Sequence, residues 1–163
     1  MLLSATTQSL EIVLGGAITT NQLRYVCAYA TKTASAFTPG SPAGVTNNTT
    51  DVTVAAAPGA SEQRKITFLA VTNYDSVSAV VYVQVDVSGT NTIVYHATLA
   101  TNESLVYVDE RGFVVYLATG LEKGGGGSGS GDALTSDGLD QFAATTSLEL
   151  KGVISDETGS GSL

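Results

Sequence analysis

The sequence predicts an all-β protein: an antiparallel β-sandwich of about eight short strands, followed by a glycine-rich linker and a separate C-terminal segment. Three observations lead there. Apolar side chains recur with a period of two over short stretches. Clusters of Gly, Pro, Asn and Ser fall between those stretches. Charged residues are only 13% of the chain, while Thr, Ser, Ala, Val and Gly are abundant, a composition of strands and turns.

The clearest strand is 77–87, where Val77, Ala79, Val81, Val83, Val85 and Val87 share one face. Ile66, Phe68 and Ala70 repeat the pattern, as do Ile93, Tyr95, Ala97 and Leu99. Near the N-terminus Leu10, Ile12 and Leu14 alternate, then Leu23, Tyr25, Cys27 and Tyr29. Strands are also expected over 50–56, 103–108 and 112–118. Ser88-Gly89-Thr90-Asn91 and Asp109-Glu110-Arg111-Gly112 read as hairpin turns. The segment 38–49 is so rich in Pro, Gly and Asn that it reads as a surface loop. A jelly roll is one topology compatible with this pattern.

Residues 1–120 are therefore assigned to the sandwich, 121–131 to a linker and 132–163 to an oligomerising segment. Gly124, Gly125, Gly126 and Gly127 form the hinge, because a glycine run holds no fixed backbone conformation. Beyond it, the apolar side chains are too few to offset the entropy of ordering the segment as a monomer. Leu139, Phe142, Leu148, Leu150, Val153 and Ile154 are the candidates for contacts between copies, as extended or short-helical strands about a threefold axis.

Charge narrows the partners. The formal net charge is −8, from 15 acidic and 7 basic residues. Nucleic acid and anionic membrane both require concentrated Lys and Arg, and Arg24, Lys32, Arg64, Lys65 and Arg111 are scattered along the sequence. Neither is expected as a partner. Cys27 is the single cysteine, which leaves no intrachain disulfide and reads as a small buried hydrophobe. The first residues lack the basic and apolar regions of a signal peptide, so synthesis in a cytoplasm is expected.

No catalytic constellation emerges, and no cofactor or metal is expected. His96 is the one histidine and sits within a strand. The adjacent acids Asp109/Glu110 and Asp156/Glu157 are not the opposed pair of a glycosidase. The glycine run lacks the Lys-Ser/Thr that closes a phosphate loop. Tyr82, His96 and Tyr116 would lie on outward sheet faces, where aromatic residues serve cross-strand or subunit contacts more often than sugar binding.

The stretch FAATTSLELKGVISDETGSGSL at 142–163 resembles a segment that recurs in bacteriophage tail fibres. Thr145, Thr146, Ser147, Glu149, Leu150, Gly152 to Ile154 and Ser155 to Gly159 carry the likeness. Residues 1–120 are similar to a family of small phage-encoded proteins, through GGAITTNQL at 15–23, FTPGSPAGVTNNTT at 37–50, APGASEQRKITFLAVTN at 57–73 and LVYVDERGFVVYLATG at 105–120. These resemblances imply a non-enzymatic, homotrimeric virion component assembled in the host bacterial cytoplasm, bound to other virion proteins of the tail, portal region or capsid. The expected role is the particle-anchoring N-terminal part of a tail fibre. A capsid decoration protein or head fibre is the alternative, and a carbohydrate-binding module of a host-recognition protein is the third.

Overall fold

The computed structural model describes residues 1–124. The hinge residues Gly125, Gly126 and Gly127 and the six candidate oligomerisation residues, Leu139 to Ile154, lie outside the described residues. Among those described there is no helix. Eleven strands form two antiparallel sheets.

In chain order the strands are β1 (Leu2–Leu3), β2 (Gln8–Leu14), β3 (Arg24–Lys32), β4 (Phe37–Gly40), β5 (Ala43–Val45) and β6 (Val52–Ala55). Then follow β7 (Gln63–Thr72), β8 (Ala79–Val87), β9 (Thr90–Leu99), β10 (Ser104–Val108) and β11 (Gly112–Tyr116). The larger sheet runs β11-β10-β7-β3-β4, with β1 on β7 and β5 on β3; the smaller runs β6-β2-β8-β9. Leu10, Ile12, Val81 and Val83 from the smaller sheet meet Cys27, Leu69, Val71 and Leu105 from the larger in one core. Sandwich packing is what half-apolar sheets require to hide their inner faces.

The eight expected strands are present, and the Ser88-Gly89 turn is the tightest form of hairpin. Ser88 and Gly89 both have positive φ, at 55° and 83°, as a two-residue turn matching the right-handed strand twist demands. Three expectations fail, each for a physical reason. The segment 38–49 is not simply a loop, because β4 and β5 lie along β3 in one unbroken register, Tyr29 opposite Gly40 and Val26 opposite Ala43. Pro42 has no N–H to return the bond that Cys27 N donates to its carbonyl, and the ladder parts there. Pro39, whose nitrogen points away from β3, is tolerated because this is an edge. The glycines are filled by tyrosines: a Cβ at Gly40 would sit 2.5 Å from the Tyr29 ring, and one at Gly44 would sit 2.8 Å from the Tyr25 hydroxyl. An aromatic ring laid over a cross-strand glycine compensates for its missing side chain.

The other two failures are bulges. In β7 the pairing with β3 jumps from Ala28↔Phe68 to Tyr29↔Ile66, so Thr67 is the extra residue. Ile66 faces the core, but Leu69 and Val71 face it beyond the bulge, and Phe68 and Ala70 turn outward. In β9 the pairing with β8 skips Val94, and Ile93 is 53% exposed instead of facing inward. Val77 and Val87 are likewise exposed, Val77 preceding β8 and Val87 lying at its end.

Candidate functional site

The chain leaves the sandwich at Lys123, immediately before the glycine run, and this exit is fastened from several directions. The compact unit spans Met1–Lys123, three residues beyond the boundary read from the sequence. After β11 the chain turns at Gly120, whose φ is +83°, and comes back along the strand it has just left. Leu117 N donates to Leu121 O at 2.8 Å and Lys123 N to Val115 O at 2.7 Å. Arg111, from the β10–β11 turn, pairs with Glu122 and donates to the Tyr116 hydroxyl at 3.0 Å.

Behind this turn lies a buried polar network. Lys123 Nζ donates to Glu103 Oε2 at 2.7 Å, and the same oxygen accepts from Ala100 N at 2.8 Å. Glu103 is only 6% exposed. Its carboxyl is held below the ordinary glutamate range, first by the Lys123 hydrogen bond and then by the Ala100 N–H. Asn73 N donates to the Glu103 carbonyl at 3.0 Å, and Asn102 N to the Asn73 carbonyl at 2.7 Å. The Asn73 side chain donates to Leu99 O at 2.9 Å and Val77 O at 2.8 Å, joining the smaller sheet to the end of β7.

Asp75 completes the network. Its carboxylate is fully buried and accepts four backbone N–H groups, from Thr19 at 2.8 Å, Ser76 at 2.9 Å, Thr20 at 3.1 Å and Asn21 at 3.3 Å. Burial would raise its pKa, but the four donors prevail and bring it down. Asp75 N in turn donates to Asn73 Oδ1 at 2.8 Å. Hydrogen bonds therefore run from the last residue before the glycines, through Glu103, Asn73 and Asp75, to the 19–21 loop that leads into β3. Gly124 follows, exposed, with nothing within 4 Å of where its Cβ would be.

No protein-family model, curated protein or solved structure matches the chain.

The residues weighed for chemistry are spread out. His96 is exposed and lies opposite Tyr82 on β8, ring centroids 5.8 Å apart and tilted at 42°. Tyr82 also packs on Gly15, where a Cβ would meet its ring at 3.0 Å. Tyr116 is engaged by Arg111. Asp109 pairs with Lys65 at 2.5 Å, and its neighbour Glu110 is exposed in the turn with φ of 73°. Among the described residues no three His, Cys, Asp or Glu side chains come together as a metal site. Asp156 and Glu157 lie outside the described residues.

Sequence reading missed Asn73, Asp75 and Glu103. The visible signal was Asn73-Tyr74-Asp75-Ser76, a run of the residues whose short polar side chains bond nearby backbone. It also missed where the cations gather. Arg24, Lys32, Arg64 and Lys65 are all on β3 and β7, Arg111 is at the β10–β11 turn, and the strands of the smaller sheet carry no Lys or Arg.

Proposed function

We propose that this chain is a non-enzymatic structural protein of a bacteriophage particle, the anchoring N-terminal part of a homotrimeric tail fibre. The observation that carries the reading is the fastened exit. A chain that must transmit pull into a folded body needs the point where it leaves that body tied to more than one element, and Lys123 is tied to Val115 and Glu103. The glycine run beginning at Gly124 then absorbs any mismatch of symmetry between the particle and a threefold fibre. The phage-fibre resemblance of residues 142–163 supports the same reading. The segment 132–163 starts the fibre, Leu139, Phe142, Leu148, Leu150, Val153 and Ile154 supply its contacts between copies, and the sandwich docks on other virion proteins.

The strand order supports a jelly-roll type of sandwich. If the chain is imagined closed from β10 to β2 and opened between β3 and β4, both sheets acquire the neighbour order of a jelly roll, with β11 added at one edge. Jelly rolls serve viral coats, lectins and cupins alike, so this supports a virion role without singling it out.

Immunogold electron microscopy of intact virions, with antibody against residues 1–120, tests the proposal. Gold at the tail or its vertex is the expected result. Gold spread over the capsid would instead make the protein a decoration protein or head fibre, which could use the same fastened exit to project its acidic tail. Unlabelled particles would overturn both.

A further inference from the structure

The two sheets differ in what they show to the outside. The strands of the smaller sheet place Glu11 and Asp86 on the outer side, with Gln84, only 4% exposed, between them; Gln84 Nε2 donates to Glu11 and Asp51, and Asn91 Nδ2 donates to Asp51 in turn. Whereas the smaller sheet exposes large apolar side chains at the β9 bulge, Ile93 and Val94, and at the end of β8, Val87, the larger sheet is apolar across the centre of its outer face. Its strands carry unbroken apolar runs, Tyr25–Ala30 in β3, Phe68–Val71 in β7 and Leu105–Val108 in β10, where a half-solvated strand would alternate. With Cys27, Leu69, Val71, Leu105 and Tyr107 buried inward, the intervening residues form an apolar outer face.

That face has two central rows across the sheet. Ala43, Val26, Ala70, Val106 and Val114 are cross-strand partners in one; Ala28, Phe68, Val108 and Gly112 are partners in the next. Neither row contains a charge. Val26 is 37% and Val108 40% exposed, and Phe37, at the β4 edge, reaches 71%. Strand spacing makes the face on the order of 500 Å2, above the few hundred Å2 of an ordinary surface patch and approaching the ~800 Å2 that each partner gives a stable interface.

We infer that this outer face of the larger sheet is a two-fold contact between copies of the chain, separate from the threefold contact proposed for residues 132–163. Its relief fits its own copy: Phe68 and Val106 stand up beside the hollows left by Ala28, Ala70 and Gly112, so a second face turned over it can interdigitate, sheet on sheet. Lys65 and Asp109 on its rim neutralise each other within the chain, which leaves Arg24 and Lys32 to meet Glu110 of a rotated copy. Such a contact does not depend on a virion role.

Sedimentation equilibrium of the full chain tests it, with Val26→Lys and Val106→Lys set against Thr98→Lys on the smaller sheet. The parent chain and the Thr98 variant should associate equally, and each face variant should weaken association at least about tenfold, as a charge placed in an apolar contact does. Circular dichroism identifies which face variant is folded, and either one suffices. A folded face variant that associates as tightly as the parent overturns the inference, even if the chain is trimeric through its C-terminal segment. A parent chain that stays monomeric at about 100 μM overturns it as well.

Discussion

The ammonium of Lys123 and the carboxylate of Glu103 meet at 2.7 Å, one 42% exposed and the other 7%, at the point where the sandwich gives way to glycine. The pair is unequal. Lys123 can return to water, whereas Glu103 would be left with a buried charge and only the Ala100 N–H to hold it. Replacing Lys123 by Ala should therefore cost about 1–2 kcal/mol, more than an exposed ion pair is worth. Urea unfolding of the full chain measures this. Glu103→Gln in the Lys123→Ala background should recover part of the loss by removing the unpaired charge.

Acid should unfold the protein through Asp75, Glu103 and Asp109. All three carboxyls have folded-state pKa values below their ordinary ones, so each stabilises the fold fully above its unfolded value and loses that contribution as pH falls through the lowered one. The melting temperature should be level above about pH 5 and fall below about pH 4. Asp75→Asn should lower it by about 5 °C or more at pH 7, because one amide oxygen cannot accept all four donors, and should flatten the acid limb. An unchanged acid limb in this variant would remove Asp75 from the account.

Tyr29 and Gly40 should be coupled. Gly40→Ala drives a methyl into the Tyr29 ring and should cost about 1–3 kcal/mol, while in a Tyr29→Ala background the same change should be nearly neutral. A double-mutant cycle in urea gives the coupling directly.

The period-two pattern located β2, β3, β7, β8 and β9, because alternation is enforced wherever one face is buried, and β6, β10 and β11 were expected beside them. It could not locate Thr67 or Val94, since a bulge adds one residue without changing residue types, and every side chain beyond it changes sides. Ile93 and Phe68 were misread for that reason. The β4–β5 edge was hidden by its own chemistry: Pro39, Pro42, Gly40 and Gly44 read as loop until Tyr25 and Tyr29 are seen four residues apart opposite them. The exit network was legible only as polar residues in turns, because its meaning lies in partners distant in sequence, from 20 residues for Lys123 and Glu103 to 56 for Thr19 and Asp75. Tyr25–Ala30 was read as simple alternation, although its even positions are apolar too.

Cys27 should behave as an inert thiol. Burial pushes its pKa up to about 11, with Arg64 pulling weakly the other way, so little thiolate exists at neutral pH. Alkylation at pH 8 should be slow in the native protein and fast in urea. Cys27→Ala should be tolerated better than Cys27→Ser, whose hydroxyl would be buried opposite Leu69.

The larger sheet closes its two borders by different means. Pro39 removes an outward-facing donor from β4, and the returning turn of residues 117–123 pairs along the C-terminal end of β11. Neither border offers a clean row of main-chain groups for another strand to extend. Copies crowded at high local concentration therefore meet an interrupted template at either border for adding strand upon strand. Interruptions of this kind are how sheets rich in Val, Thr and Ala resist edge-to-edge aggregation.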